Sequence, residues 1–271
     1  FVTFAEVGSL ARTAQIVGRT PSAVTAQMQR LEGVLGEPLL SAAGRGRILT
    51  PAGERFVGHA RRILTAHRDA WLSMKGAASA GTIRLGCTQD FADSGLPDLL
   101  RSFVRGHPLV QIDLRIGRSG EITTAYAQND IDIALTMRAG PARDEIAVLR
   151  EPMLWLADPN CDFARDDVLP LAVLDPPCDF RSAAIDALDT AQKPYRIAAT
   201  SPSLSGLAAA VRSGIAITAR TARMIAPGIA PASVALELPN LPTAEFSLRA
   251  NPQANQSTRD FAERLAEGIA P

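Results

Sequence analysis

Apolar residues recur at steps of four, three and four along Val24, Met28, Leu31 and Leu35. That is the single stripe of a 3.6-residue period and predicts a helix that buries one side. The opposite side carries Ser22, Thr25, Ala26, Gln29 and Arg30, which are small or offer hydrogen bonds. Such a face can lie in a groove without bulk and present amide and guanidinium groups to base edges; a solvated helix is the other reading. Just upstream, Ser9 is a good N-cap for a helix with Leu10, Ala14 and Val17 on one side. That helix stops at Gly18, and Gly18-Arg19-Thr20 leads to Thr20 as the next N-cap and Pro21 at the first helical position. The grammar is that of a helix-turn-helix. Phe1, Phe4 and Ala5 share one face of a further helix that would pack beneath it.

Gly44 and Gly46 then mark a turn between two short extended stretches, with Arg45 and Arg47 at its tip. This is a wing suited to phosphates or a narrow minor groove, or else an ordinary solvated turn. Thr50-Pro51 opens a long helix in which Val57, Leu64 and Trp71 recur every seven residues, with Ala60, His67 and Met74 interleaved. A sustained heptad predicts pairing with a second copy of the same helix. The small residues from Gly76 to Gly81 read as a hinge. Beyond Thr82 the pattern alternates, with strands expected at 83–87, 110–116, 131–137, 171–174, 196–199, 215–218 and 244–250. Helices are expected at 95–105, 121–129, 181–191, 204–213, 221–225 and 257–269. That rhythm predicts parallel sheets covered by helices, arranged as two lobes with crossings near 150–156 and 246–249 and a cleft between them.

Hydrophobic content of 46% and charge of 21% over 271 residues are ordinary for a globular chain of two or three domains. No apolar run approaches the roughly 18 residues of a membrane span. Formal net charge is zero but unevenly placed: residues 1–75 carry ten Arg and Lys against five Asp and Glu. Since the whole chain has 28 of each, the remainder carries 18 against 23. A basic front on an acidic body is what phosphate binding at one end requires. Cys87, Cys161 and Cys178 form no CxxC pair, which argues for a reducing compartment. His59, His67 and His107 have no metal-ligand spacing with them. No cofactor, metal, nucleophile–base set or carboxylate pair is indicated, so no enzyme is expected. Opening on Phe1 inside a helix, the sequence is expected to lack its natural start, and a helix-turn-helix so near argues against a targeting segment.

Taken together, FVTFAEVGSLARTAQIVGRTPSAVTAQMQRLE, LGEPLL, GRGRILTPAGERF, HARRIL, GTIRLG and NDIDIAL resemble a LysR-type transcriptional regulator over nearly the whole chain. RTPSAVTAQMQRLE, LDPPCDFR and AAAVRSGIAITAR are similar, more narrowly, to the branch with regulators of motility, virulence and exoenzyme genes in enterobacteria. The resemblance implies an α/β protein with an N-terminal winged helix-turn-helix (1–50) and a dimerisation helix with hinge (51–80). A two-lobed effector domain similar to type 2 periplasmic binding proteins (81–271) follows, with lobe I at about 81–150 and 249–271 and lobe II at about 151–248. It further implies a cytoplasmic homodimer or homotetramer away from membranes, with double-stranded DNA, RNA polymerase and an unidentified small-molecule effector as partners. Family contacts to DNA map onto Pro21, Ser22, Thr25, Ala26, Gln29 and Arg30, and Ser9, Thr20, Arg45 and Arg47 complete the candidate set. Many relatives carry arginine where Ala26 stands and Phe-x-Arg where Leu40-Ser41-Ala42 stands, so specificity is expected to lean on Thr25, Gln29 and the wing arginines.

Ligands of open α/β sheets sit beyond the carboxyl ends of strands, beside helix N-termini. That places Thr88, Gln89 and Asp90, Thr136 and Arg138, Thr200 and Ser201, and Arg220 around the cleft, with Cys87 at its mouth. Hydroxyls beside helix N-termini suit a small anion or carboxylate; the same hydroxyls serve as plain N-caps, as Ser201 before Pro202 would. The expected function is a sequence-specific regulator whose DNA binding or bending is set by a ligand in the cleft. The alternatives are a ligand-independent repressor or architectural DNA binder with a vestigial pocket and, from another class, an enzyme or solute-binding protein.

Overall fold

The structure, a computed structural model, describes residues 1–44, 46–74, 81–163 and 168–269, excluding the side chains of 68–69 and 72–74. Arg45, the Met74 side chain and the expected hinge up to Ala80 lie outside the described residues.

After α1 (Val2–Val7), helices α2 (Leu10–Ile16) and α3 (Pro21–Leu35) form where their caps place them. Ser9 Oγ accepts the Arg12 N–H at 3.4 Å and Thr20 Oγ1 the Ala23 N–H at 3.2 Å. Gly18, at φ 64°, supplies the left-handed residue of the turn. Phe4, Ala14, Val24, Met28 and Leu40 make the small core. The apolar stripes outrun it: Leu31 is half-buried, whereas Val17 and Leu35, at the helix ends, are exposed. Strands β1 (Leu40–Ala43) and β2 (Gly46–Leu49) pair antiparallel as the wing. Glu32 Oε1 ties α3 to it by accepting the N–H groups of Leu39 and Leu40 at 2.8 and 2.9 Å.

The long helix α4 (Pro51–Met74) starts where Thr50 Oγ1 accepts the Gly53 N–H at 3.0 Å. Ile63, Leu64 and Trp71 are exposed along it. Val57, first of the heptad series, packs within its own chain instead and is buried.

Past residue 80 come β3 (Thr82–Thr88), α5 (Gln89–Ala92), α6 (Leu96–Gly106), β4 (Gln111–Gly117), α7 (Ser119–Ala127), β5 (Ile133–Met137) and β6 (Glu145–Ala157). Then follow β7 (Leu169–Leu174), α8 (Asp179–Thr190), β8 (Tyr195–Ser201), α9 (Leu204–Arg212), β9 (Thr218–Thr221), β10 (Ala230–Pro231), β11 (Thr243–Ala250) and α10 (Gln256–Ile269). Lobe I is a sheet in the order β6-β11-β5-β3-β4, with a core that includes Leu85, Phe91, Phe103, Leu135, Phe246 and Phe261. In lobe II the second half of β6 pairs with β9 and β10, while β7 and β8 pair parallel; β7 meets Ile217 beside β9.

The fold departs from the pattern expected of the sequence at several places. The lobe I sheet is mixed, not parallel: β3 runs parallel to β4 and β5, but β11 enters after the chain has crossed back and is antiparallel to both β5 and β6. Strand β6 was hidden by its charged residues Glu145, Arg150 and Glu151 and by Pro152; it is the first crossing, continuous between lobes. The second crossing is not at 246–249, which pair inside lobe I, but at 237–242, where Trp155 Nε1–H holds the Pro239 carbonyl at 2.8 Å. Lobe I therefore resumes at Thr243, not near 249. The strand expected at 215–218 lies at Thr218–Thr221, and this fully buried run leaves only a single 3₁₀ turn, Ala222–Met224, where a helix was expected. Among the described residues no helix is long and apolar enough to cross a membrane.

Candidate DNA face and interlobe cleft

On α3 the side chains of Ser22, Ala26, Gln29 and Arg30 are exposed together, with Pro21 beside them. Thr25 is half-buried and its hydroxyl donates to the Pro21 carbonyl at 2.9 Å, so only its acceptor capacity remains free. Thr20 and Ser9 have their hydroxyls engaged in capping, and Thr20 Oγ1 also lies 3.1 Å from Ser22 Oγ. Arg47 is exposed on β2. Arg12 and Arg19, exposed on α2 and in the turn, are two further cations that the helical pattern alone did not single out.

Between the lobes lies a cleft of roughly 400 Å³. Lobe I contributes Thr88, Gln89 and Asp90 where β3 passes into α5, and Arg118 to Glu121 at the start of α7. Lobe II contributes Leu174 and Asp175, then Cys178, Asp179 and Phe180 at the start of α8, and Arg220 on β9. Asp90 and Arg220, 5% and 3% exposed, form an ion pair across the cleft. The guanidinium of Arg220 also lies 3.8 Å from the Phe180 ring centre. Gln89 Oε1 accepts the Leu204 N–H at 2.5 Å, so a side chain of lobe I covers a first-turn amide of α9 in lobe II. Arg118 Nη1 donates to the carbonyls of Asp175 and Pro176 at 3.4 and 3.3 Å. Arg223 bridges the Glu151 carboxylate at 2.6 Å and Ser94 Oγ at 3.0 Å.

Within this latched cleft two buried polar atoms have no partner, Thr88 Oγ1 and Arg220 Nε. Leaving such atoms unpaired is costly, and both belong to residues that line the cleft. The charged residues of the lining are Arg118 and Arg220 with Asp90, Glu121, Asp175 and Asp179, set among apolar residues that include Met137, Leu174 and Phe180.

The structure brings Thr88, Gln89, Asp90 and Arg220 together and leaves the other candidates aside. Thr136 is buried outside the lining, and Thr200 is exposed away from it. Ser201 Oγ accepts the Ser203 N–H at 3.1 Å in the turn before α9, whose N-cap is Ser203. Arg138 is bound to Glu145 at 2.9 Å and Glu245 at 3.0 Å on paired strands, and holds the Glu145 carboxyl below its ordinary range. Cys87 is not at the mouth; it is fully buried in the lobe I core, where burial first and then Asp90 and Asp93 push its thiol up to about 12. Arg118, Ser119, Glu121 and Cys178 to Phe180 were missed, although the strand-end rule, carried to β4 and β7, points to all of them. Among the described residues no group of three or more His, Cys, Asp or Glu could hold a metal.

Comparison with known proteins matches residues 1–54 to the family described as bacterial regulatory helix-turn-helix protein, lysR family, and residues 76–270 to the LysR substrate binding domain. The chain is 37% identical over 266 residues to the HTH-type transcriptional regulator DgdR of Burkholderia cepacia, covering 98% of this chain and 90% of that protein. It is 34% identical over 269 residues to the HTH-type transcriptional regulator PecT of Dickeya dadantii (strain 3937), covering 99% and 85%. The crystal structure of ArgP from Mycobacterium tuberculosis matches with a TM-score of 0.72 over 99% of this chain and 94% of that one, at 14% identity, a likeness of fold.

Proposed function

The chain belongs to the LysR family of DNA-binding transcriptional regulators, and from that premise we propose that it reads a two-fold-symmetric operator through α3 and the wing while a small ligand between the lobes sets DNA binding or bending. The exposed face formed by Ser22, Ala26, Gln29 and Arg30, beside a wing carrying Arg47, is the observation that carries this reading. Arg30, Arg47 and Arg45 supply phosphate neutralisation and Gln29 an amide for a base edge. Pro21, Thr25 and Thr20 fix the start of the helix against the groove, and Ser9 fixes α2 behind it.

In the cleft, the ligand places an acceptor such as a carboxylate against Thr88 Oγ1 and Arg220 Nε and its apolar part against Phe180 and Met137. Binding shifts the lobes only if the ligand prefers one arrangement of them. Ile63, Leu64 and Trp71 on α4 pair two copies, as a dimer or as the dimers of a tetramer, with RNA polymerase as the further partner on DNA. The reading places the protein in the cytoplasm and assigns it no catalysis, since Asp90 and Arg220 are held by each other and Arg118 by Asp175 and Pro176. Selection of duplexes from a random pool, then footprinting at two salt concentrations, tests it: a protected dyad supports the proposal, and uniform sequence-blind binding refutes it.

A regulator needing no ligand is the second reading, favoured by the contacts that already latch the lobes. A thermal-shift screen of carboxylate metabolites in which nothing raises Tm would select it.

A further inference from the structure

Helix α4 carries two glycines inside its span, Gly53 and Gly58, although glycine weakens a helix interior relative to alanine. Gly53 is accounted for within the N-terminal domain, since a Cβ there would fall 2.3 Å from the Leu39 carbonyl oxygen. Gly58 faces another body altogether: its Cβ would fall 1.8 Å from the carbonyl oxygen of Gln128 and 3.2 Å from the carbonyl carbon of Asn129. The bare backbone of α4 thus rests on the turn that follows α7 in lobe I.

That turn is stiff. Asn129 takes the left-handed conformation at φ 59°, with its N–H donating to the Tyr126 carbonyl at 3.0 Å and the Asp130 N–H to the Ala125 carbonyl at 2.8 Å. This double closure satisfies the Ala125 and Tyr126 carbonyls near the end of α7. From beneath, Arg84 donates to the Asn129 carbonyl at 3.1 Å while binding the Asp132 carboxylate at 2.6 and 2.7 Å.

Arg61, three residues after Gly58 and on the same face of α4, completes the contact. Its Nη1 lies 3.0 Å from Asp130 Oδ1 and its Nη2 3.8 Å from Glu6 in α1, while Arg115 on β4 lies 4.0 Å from the other Asp130 oxygen. Charges therefore alternate from α1 through α4 into lobe I. With the Asp130 side chain only 15% exposed, its pair with Arg61 is screened less than a surface pair.

We infer that Gly58 and Arg61 form a seat by which α4 docks on lobe I, and that this seat is the joint through which lobe I and the DNA-binding domain constrain one another. A backbone contact and an ion pair can be made and broken, and a displacement of α7 either carries α4 with it or unseats it. The inference rests on the DNA-binding reading only in its second arm below.

Hydrogen exchange of the full-length protein tests it. Both Gly58→Ala and Arg61→Gln are expected to raise exchange on the order of tenfold at 57–62 and at 128–132, in two domains at once, while α3 and β3 stay unchanged. If the Gly58 face is free, the alanine strengthens the helix, exchange in α4 slows and 128–132 does not respond; that result overturns the seat. Arg61→Gln adds no bulk, so its effect is independent of any clash. In the second arm a random-sequence duplex is added at low salt. Where α3 becomes protected, wild type should change its exchange at 128–132 and both variants should not; no change in wild type, or the same change in the variants, overturns the joint. Failure to protect α3 defeats the DNA-binding reading instead, and the DNA-free comparison still decides the seat.

Discussion

Arg47 is exposed on β2, where a guanidinium neutralises phosphate and reads no base. Arg47→Ala should weaken binding to every duplex and reduce the slope of log affinity against log salt by about 0.9, measured by anisotropy titrations. Gln29→Ala, by contrast, should relax preference at one base pair by about 1–3 kcal/mol, read from a panel of single-base operator variants. At Cys87 the thiol, raised to about 12, stays protonated at neutral pH and buried. Native protein at pH 8 should therefore release two thiol equivalents to a disulfide reagent, from the partly exposed Cys161 and Cys178, and the third only on unfolding; three fast equivalents would contradict the burial. Acid stability follows from two neighbouring carboxyls in lobe I. Burial raises the Asp144 carboxyl, but hydrogen bonds from Arg249 and Tyr126 more than offset it, and Arg138 lowers Glu145. Their folded values lie below the ordinary 3.8 and 4.5, so their contribution is present above that range and lost as pH falls through it. Tm should drop below about pH 4.5, and Arg138→Gln should flatten the drop. At this scale the caps Ser9, Thr20 and Pro21 were legible because capping is decided within four residues. Arg138 and Thr200 were misplaced because their partners depend on which distant strands pair.

At the scale of elements, glycines inside α4 mark where something else must come close. Gly53→Ala gains helix propensity yet drives a methyl into the Leu39 carbonyl, so it should lower stability by about 1–3 kcal/mol, seen as a lower Tm for the winged domain. A rise in Tm would show that the junction yields. The 3.6-residue and seven-residue periods made α3 and α4 visible from their apolar positions. The heptad nevertheless misjudged Val57, since periodicity states which side is apolar and not which body covers it. Strand β6 escaped notice for the converse reason: half of it pairs in each lobe, so its alternation is interrupted by Arg150, Glu151 and Pro152 where the environment changes.

For the whole molecule, the lobes are held by an ion pair that water barely reaches. Breaking it from one side leaves a buried charge uncompensated, so Arg220→Met should cost about 3–5 kcal/mol, whereas Asp90→Asn together with Arg220→Met should recover much of that in urea unfolding. Two lobes and a cleft were readable from the strand–helix rhythm; the latch was not, because Asp90 and Arg220 lie 130 residues apart and nothing local announces their pairing. The most direct measurement of the account is footprinting of wild type and Arg220→Met side by side on one selected operator. Wild type should protect a dyad, and the variant should protect the same bases over a different extent or with altered hypersensitive positions, because opening the cleft changes how paired domains sit on DNA. Identical footprints, or no dyad with wild type, would contradict it.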